Sequence, residues 1–137
     1  MASIFISHAT EDQEFVKQLQ EKLEGQGKSA QIDSHTLHTG DQLDPQIKQS
    51  IEAASCFLLV VSIHALNSQW VQKEVRYALE VEQKRPSDFQ IIPLLFGWVQ
   101  PSALKLFFKD ESRAEPIQLA SGGLDETMPA LLAALNG

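Results

Sequence analysis

The stretch that decides the fold is the run CFLLVVS at positions 56–62, followed after a short link by NSQWVQKEVRYAL at positions 67–79. A short run of aliphatic and β-branched residues is typical of a strand that is buried on both faces. The second segment predicts a helix over 68–84, because Asn67 or Ser68 can offer a side-chain oxygen to the first turn. A buried strand that leads into a helix predicts an α/β domain.

The helix predicted over 68–84 carries different side chains on its different sides. At about 100° per residue, most apolar residues fall on one broad face and most charged residues on the opposite side. Trp70, Glu74 and Tyr77 recur at helical spacing and form a narrow stripe beside the apolar face. This stripe is either part of a ligand site, or a core tryptophan next to a solvated glutamate.

Hydrophobic spacing along the rest of the chain predicts strands that alternate with helices. The predicted strands are 3–6, 29–33, 56–62, 90–96 and 115–119, and the other predicted helices begin near Thr10, at Pro45 and at Leu124. Thr10 and Gln13 have the spacing of a capping box. We expect a loop over 63–67, a helical turn over 102–108, and broken strand pairing near Pro93, which lacks a backbone donor.

The alternation predicts a flavodoxin-like three-layer α/β sandwich, with a five-stranded parallel sheet in the order 2-1-3-4-5 and helices on both faces. In such sheets, ligands bind beyond the carboxyl ends of the strands where the strand order reverses, here between the first and third strands. This geometry brings together residues 7–10, 33–44 and 67–74. We therefore expect the stripe with Trp70 and Glu74 to face the crevice.

The composition is that of one ordinary globular domain spanning residues 1–137, with a formal net charge of −7. An acidic chain without a basic cluster argues against nucleic acid as the main partner. No apolar run approaches the roughly 20 residues that a membrane span needs, so we expect no membrane partner. A strand that starts at Ser3 leaves no room for a signal peptide, and the single cysteine, Cys56, excludes an intrachain disulfide. Both features predict a cytoplasmic location.

Three segments, in chain order, resemble those of Toll/interleukin-1 receptor (TIR) domains. The first is IFISH at positions 4–8, and the second runs from Asp33 through Leu37 and Gly40 to Ile47. The third is the pattern Ser68-x-Trp70-x-x-x-Glu74, which is similar to the signature of the enzymatic members. The resemblance covers essentially the whole chain and is strongest to bacterial TIR domains, which also occur inside longer multidomain proteins.

The resemblance implies cleavage of NAD+ between nicotinamide and ribose, giving nicotinamide and ADP-ribose or a cyclic variant of it, in bacterial defence or signalling. It implies NAD+ as the substrate, no cofactor, no metal, and activation by self-association with other TIR domains. By the same resemblance Glu74 would be the catalytic carboxylate. The substrate-binding residues would be Ser7, His8, Leu37, His38, Gly40, Ser68 and Trp70.

Other interpretations stay open. A non-enzymatic TIR module could act through homotypic contacts of the 34–43 loop, whereas a receiver-like switch would need an acidic cluster where SHA stands at positions 7–9. Trp98 and the adjacent phenylalanines at 107–108 either cap the core or form an assembly surface.

A metal site built from Asp33, His35 and His38 is disfavoured by their loose spacing in a polar loop.

Overall fold

The computed structural model describes residues 3–32, 45–96, 99–108, 116–119 and 123–136. Its strands are β1 (Ser3–Ser7), β2 (Ser29–Ile32), β3 (Cys56–Val61), β4 (Gln90–Leu95) and β5 (Ile117–Gln118). Its helices are α1 (Gln13–Gly25), α2 (Pro45–Ala53), α3 (Ile63–Leu66), α4 (Gln69–Lys84) and α5 (Leu124–Asn136). Two 3₁₀ turns, Thr10–Asp12 and Pro101–Leu106, precede α1 and follow β4.

The strands form one parallel sheet in the order β2-β1-β3-β4-β5, which confirms the predicted order. All six residues of β3 are buried at the centre of the sheet. The polar strand β2 lies at one edge and the two-residue strand β5 at the other. The hydrophobicity of each strand thus predicts its depth in the sheet.

The core has two layers, because successive side chains of a strand point to opposite faces of the sheet. Phe57, Leu59 and Val61 belong to a cluster that includes buried residues of α2 and α4. Leu58 and Val60 belong to a second cluster, with buried residues of α1 and α5. Helices therefore cover both faces, as predicted for a flavodoxin-like sandwich.

Strand β4 pairs with β3 without interruption through Pro93, which lies opposite Leu59, so the expected break is wrong. The backbone amides of Gln90 and Phe96 donate to Ser55 and Val61 on the β3 side, at 3.1 and 2.9 Å. Because donors alternate between the two sides of a parallel strand, the nitrogen of Pro93 faces β5 instead. The ladder to β3 therefore keeps all its donors. On the other side, β5 pairs with Leu94 and Leu95, beyond Pro93.

The predicted capping box at Thr10 and Gln13 is also wrong. Residues Thr10–Asp12 form a 3₁₀ turn, and no side chain caps either that turn or α1. The chain from 63 to 66, expected to be a loop, forms the short helix α3. The side chain of Ser62 caps it by accepting a hydrogen bond from the amide of Ala65.

Several predictions fall outside the described residues: the 34–43 loop, the metal site at Asp33, His35 and His38, and Trp98. Phe107 and Phe108 are both buried and belong to the core cluster that contains α4, as in the core-capping interpretation. None of the helices within the described ranges has both the length and the apolar character required to cross a membrane.

Candidate active site

Most of the buried polar side chains in the described residues gather at one edge of the sheet. Ser7 and His8 lie at the carboxyl end of β1, and Ser62 directly follows β3. Asp12 comes from the turn after β1, and Glu74 from the second turn of α4. This is the edge where the strand order reverses, which is where ligands bind in folds of this kind.

Glu74 is fully buried, with 0% of its surface exposed. The hydroxyl of Ser7 donates a hydrogen bond of 2.7 Å to Oε1 of Glu74. Burying a carboxyl group is costly unless donors surround it, so this contact is part of what holds Glu74 at the strand ends. The interpretation of Glu74 as a solvated helix residue is therefore wrong.

The local sequence explains how α4 turns Glu74 inward. Ser68 is its N-cap, accepting a hydrogen bond of 3.2 Å from the amide of Val71. Val71 and Val75 are buried against the sheet, and Glu74 lies between them on the helix. The apolar face thus carries one carboxylate into the interior, in the second turn after the cap.

Trp70 lies in the first turn of α4 and is only half-buried. Unlike Glu74, Trp70 is not fully buried. This partly exposed indole lies one helical turn before Glu74, so a flat apolar ring is placed near the carboxylate. Of the predicted site residues, the structure brings Ser7, His8, Ser68, Trp70 and Glu74 to the same edge.

Tyr77 does not belong to this group, although the stripe predicted it. Its hydroxyl donates to a carboxylate oxygen of Glu52 in α2, and the amine of Lys48 lies 5.7 Å from the centre of its ring. The hydrogen bond to Glu52 is the main cause that raises the pKa of Tyr77 to about 12. α4 begins at the carboxyl ends of the strands and runs back along the sheet, so its third turn contacts α2 and lies away from the crevice.

The sequence reasoning missed a second polar contact at this edge. The hydroxyl of Ser62 donates to Oδ2 of Asp12, and both residues are buried. Ser62 immediately follows a fully apolar strand, and a polar residue in that position lies at the ligand-binding edge of a parallel sheet. That position was the available signal.

Leu37, His38 and Gly40, the remaining predicted site residues, lie outside the described part of the chain. Among the residues that are described, no three His, Cys, Asp or Glu side chains lie close enough together to hold a metal ion.

A family model described as "TIR domain" matches residues 4–132. The chain belongs to the TIR domain family. A relative from Theionarchaea archaeon, named NAD(+) hydrolase TcpA, is 38% identical over 97 residues, which is 69% of this chain and 28% of the relative. A relative from Paracoccus denitrificans, named NAD(+) hydrolase PdTIR, is 33% identical over 92 residues, or 66% of this chain and 30% of the relative.

A third relative, named 2' cyclic ADP-D-ribose synthase AbTIR, comes from Acinetobacter baumannii. It is 34% identical over 73 residues, covering 53% of this chain and 27% of the relative. The alignments thus span less than a third of the length of these curated relatives.

Solved structures agree with the fold. A prokaryotic SEFIR domain superposes with a TM-score of 0.66 at 15% identity, covering 98% of this chain and 99% of that chain. The TIR domains of the activated Roq1 resistosome superpose with a TM-score of 0.64 at 23% identity, covering 77% of this chain and 63% of that one.

Proposed function

We propose that this TIR domain cleaves NAD+ at the bond between nicotinamide and ribose, with Glu74 as the catalytic carboxylate. The observation that carries the proposal is the buried Glu74 at the carboxyl ends of β1 and β3, held by the hydroxyl of Ser7. Relatives at 33–38% identity are named NAD(+) hydrolases, and this supports the choice of substrate.

The chemistry needs little more than one carboxylate. When the bond from ribose C1′ to the pyridinium nitrogen breaks, the bonding electrons neutralise nicotinamide and leave an oxocarbenium-like ribose. Because the leaving group is already cationic, it requires no general acid. A carboxylate beside C1′ stabilises the developing positive charge. Water then adds at C1′ and loses a proton, which gives ADP-ribose; capture by a hydroxyl of the substrate itself would give a cyclic product.

The residues around Glu74 have distinct parts in this proposal. Ser7 orients the carboxylate through its 2.7 Å hydrogen bond to Oε1. The partly exposed indole of Trp70 packs against the nicotinamide or its ribose. His8, Ser68, Leu37, His38 and Gly40 complete the proposed substrate-binding set.

We further propose that self-association with other TIR domains raises the activity. Because Glu74 has no exposed surface, substrate can reach its carboxylate only after neighbouring side chains shift. Contact with a second copy would supply the free energy for that shift. The expected context is bacterial defence or signalling in the cytoplasm, within a longer protein.

The test is release of nicotinamide from NAD+ by concentrated purified protein, beside Glu74→Gln. Glutamine has the shape of glutamate but carries no charge, so the rate should fall at least about 100-fold while the fold is kept. Glu80→Gln is the matched control, because Glu80 is exposed on the same helix. Its rate should stay within about twofold of the native rate.

Equal release by the native chain and Glu74→Gln would overturn the assignment of Glu74. No release by either, in dilute solution or under crowding, would overturn the enzymatic proposal and favour a module that acts through homotypic contacts alone.

A further inference from the structure

A second buried polar contact links the two chain segments that supply Ser7 and Glu74. The hydroxyl of Ser62 donates to Oδ2 of Asp12 and accepts a hydrogen bond of 3.0 Å from the amide of Ala65. Only 7% of the surface of Asp12 and 3% of that of Ser62 are exposed. We call this contact the Asp12–Ser62 pair.

On one side of the pair, short-range hydrogen bonds link Ser62 to the start of α4. Ser62 caps α3, and its carbonyl accepts a hydrogen bond of 3.1 Å from the amide of Leu66. At the end of α3, the amide of Ser68 donates to the carbonyl of Ala65 at 3.1 Å. Ser68 then caps α4, whose first two turns carry Trp70 and Glu74. A displacement of Ser62 would therefore be transmitted to Glu74 through a chain of hydrogen bonds.

The other side of the pair holds the segment after β1. The amide of Asp12 donates to the carbonyl of Ala9 at 2.9 Å, two residues beyond Ser7. Ala9 is buried in the same apolar cluster as Ala65 and Val71. The backbone between Ser7 and Asp12 is thus held at both ends, next to the start of α4.

The energetics argue that the pair does more than stabilise the fold. Burying a carboxyl group and a hydroxyl in place of apolar groups of similar size is neutral or unfavourable for stability. A buried polar contact of this kind is favoured where it specifies one arrangement of two segments. Here those two segments are the ones whose side chains meet at Ser7 and Glu74.

We propose that Asp12 and Ser62 are positioning residues of the candidate site, which set the placement of Glu74 relative to Ser7. The inference deepens the proposed NAD+ cleavage and rests on it. Neither residue has to touch the substrate. The pair acts by keeping the carboxylate in the one orientation that meets the reacting ribose.

The kinetic test compares Ser62→Ala and Asp12→Ala with the native chain. Each should lower kcat about tenfold or more and leave KM within about threefold, because the carboxylate is misplaced while the rest of the pocket remains. Both changes remove the hydrogen bond between Asp12 and Ser62, and Ser62→Ala also removes the bond from the amide of Ala65. The double variant should therefore be no slower than the slower single variant. Ser62→Thr keeps the hydroxyl and should restore most of the rate.

His64→Gln is the matched control. His64 Nδ1 lies 3.7 Å from Glu11 Oε2 and joins the same two segments, but both side chains are more than half exposed. This surface contact should matter little, and kcat should stay within about twofold of native. Equal losses in His64→Gln and Ser62→Ala, a native kcat in Ser62→Ala, or no restoration by Ser62→Thr would overturn the proposal.

A second readout does not depend on NAD+. The chain has two tryptophans, so Trp98→Phe leaves Trp70 as the only indole. In that background, Ser62→Ala should change the acrylamide quenching constant of Trp70 by about half or more, because the start of α4 is displaced. Ser62→Thr and His64→Gln should leave this constant unchanged. Unchanged quenching in a folded Ser62→Ala chain would overturn the positioning role. If the native chain releases no nicotinamide, the proposed function fails, and quenching alone still decides whether the pair positions α4.

Discussion

The two edges of the sheet use polar side chains in different ways. At the carboxyl edge, Ser7 donates to Glu74 and Ser62 donates to Asp12; both hydrogen bonds join one side chain to another, and all four residues are buried. At the amino edge, polar side chains donate hydrogen bonds to backbone carbonyls. Ser55 donates to the carbonyl of Ser3 at 3.0 Å. The guanidinium of Arg85 donates to the carbonyl of Glu52 in α2 at 2.5 Å and to that of Ala54, just after α2, at 3.1 Å.

The two kinds of hydrogen bond differ in what they are needed for. Hydrogen bonds to backbone carbonyls at helix and strand ends are needed wherever a chain turns. A chain can reverse direction without burying a carboxyl group, and burying one costs desolvation free energy. Such groups cluster where a protein holds charge ready for chemistry. We therefore infer that the carboxyl edge is the functional one, and each prediction below compares it with the amino edge.

The largest expected effect concerns Cys56, the first residue of β3 at the amino edge. Burial raises the pKa of its thiol from 9.0 to about 12. At pH 8 the thiolate fraction should be about 1,000-fold smaller than in an unfolded chain, and alkylation by iodoacetamide should be slower by about that factor. The measurement compares the native chain with the chain in urea. Rates within about tenfold of each other would mean that the amino edge is open to water.

The same shift predicts how stability depends on pH. Because the folded state keeps the thiol neutral, the contribution of Cys56 is complete below pH 9 and is lost as the pH rises from 9 towards 12. Urea unfolding at pH 8 and 10.5 should show this loss in the native chain. Cys56→Ala should show a smaller loss, since it has no thiol to ionise.

The second prediction compares two serines at opposite edges. Ser7→Ala removes the donor to a fully buried carboxylate, so it should lower nicotinamide release about 10- to 100-fold and stability by about 1–3 kcal/mol. Ser55→Ala removes a half-buried contact to the backbone. It should cost about 1 kcal/mol and leave the rate within about twofold. Similar losses of rate in both variants would remove the contrast between the edges.

The smallest expected effect is that of Tyr77→Phe. The Tyr77 hydroxyl bonds to Glu52 on a half-exposed surface, so its loss should cost about 0.5 kcal/mol at pH 7 and leave nicotinamide release unchanged. A raised KM for NAD+ in this variant would show that Tyr77 contributes to substrate binding after all.

Tyr77 is the single tyrosine of the chain, so phenolate absorbance at 295 nm reads its titration directly. The midpoint should lie near 12 in the native chain, because the bond to Glu52 holds the proton. The bond therefore stabilises the fold fully below pH 10, and this contribution is lost as the pH rises from 10 towards 12. A midpoint near 10 in the folded chain would contradict the contact.

The sequence by itself determined the type and order of the main elements. Strand burial follows from local composition, as in CFLLVVS at 56–62, and helix faces follow from a fixed rotation per residue. These signals depend only on nearby residues, so they can be read without knowing which elements pack together. The same periodicity, together with the TIR resemblance, also singles out Trp70 and Glu74.

The tertiary structure decided which of these side chains meet. Ser7 and Glu74 are 67 positions apart, and Asp12 and Ser62 are 50 apart, so no local spacing predicts either contact. The stripe led wrongly to Tyr77, because periodicity shows that residues share a helix face but not where along the helix the neighbouring elements end. The exposure of Trp70 and the burial of Glu74 follow from that packing, because desolvation depends on everything that surrounds a group.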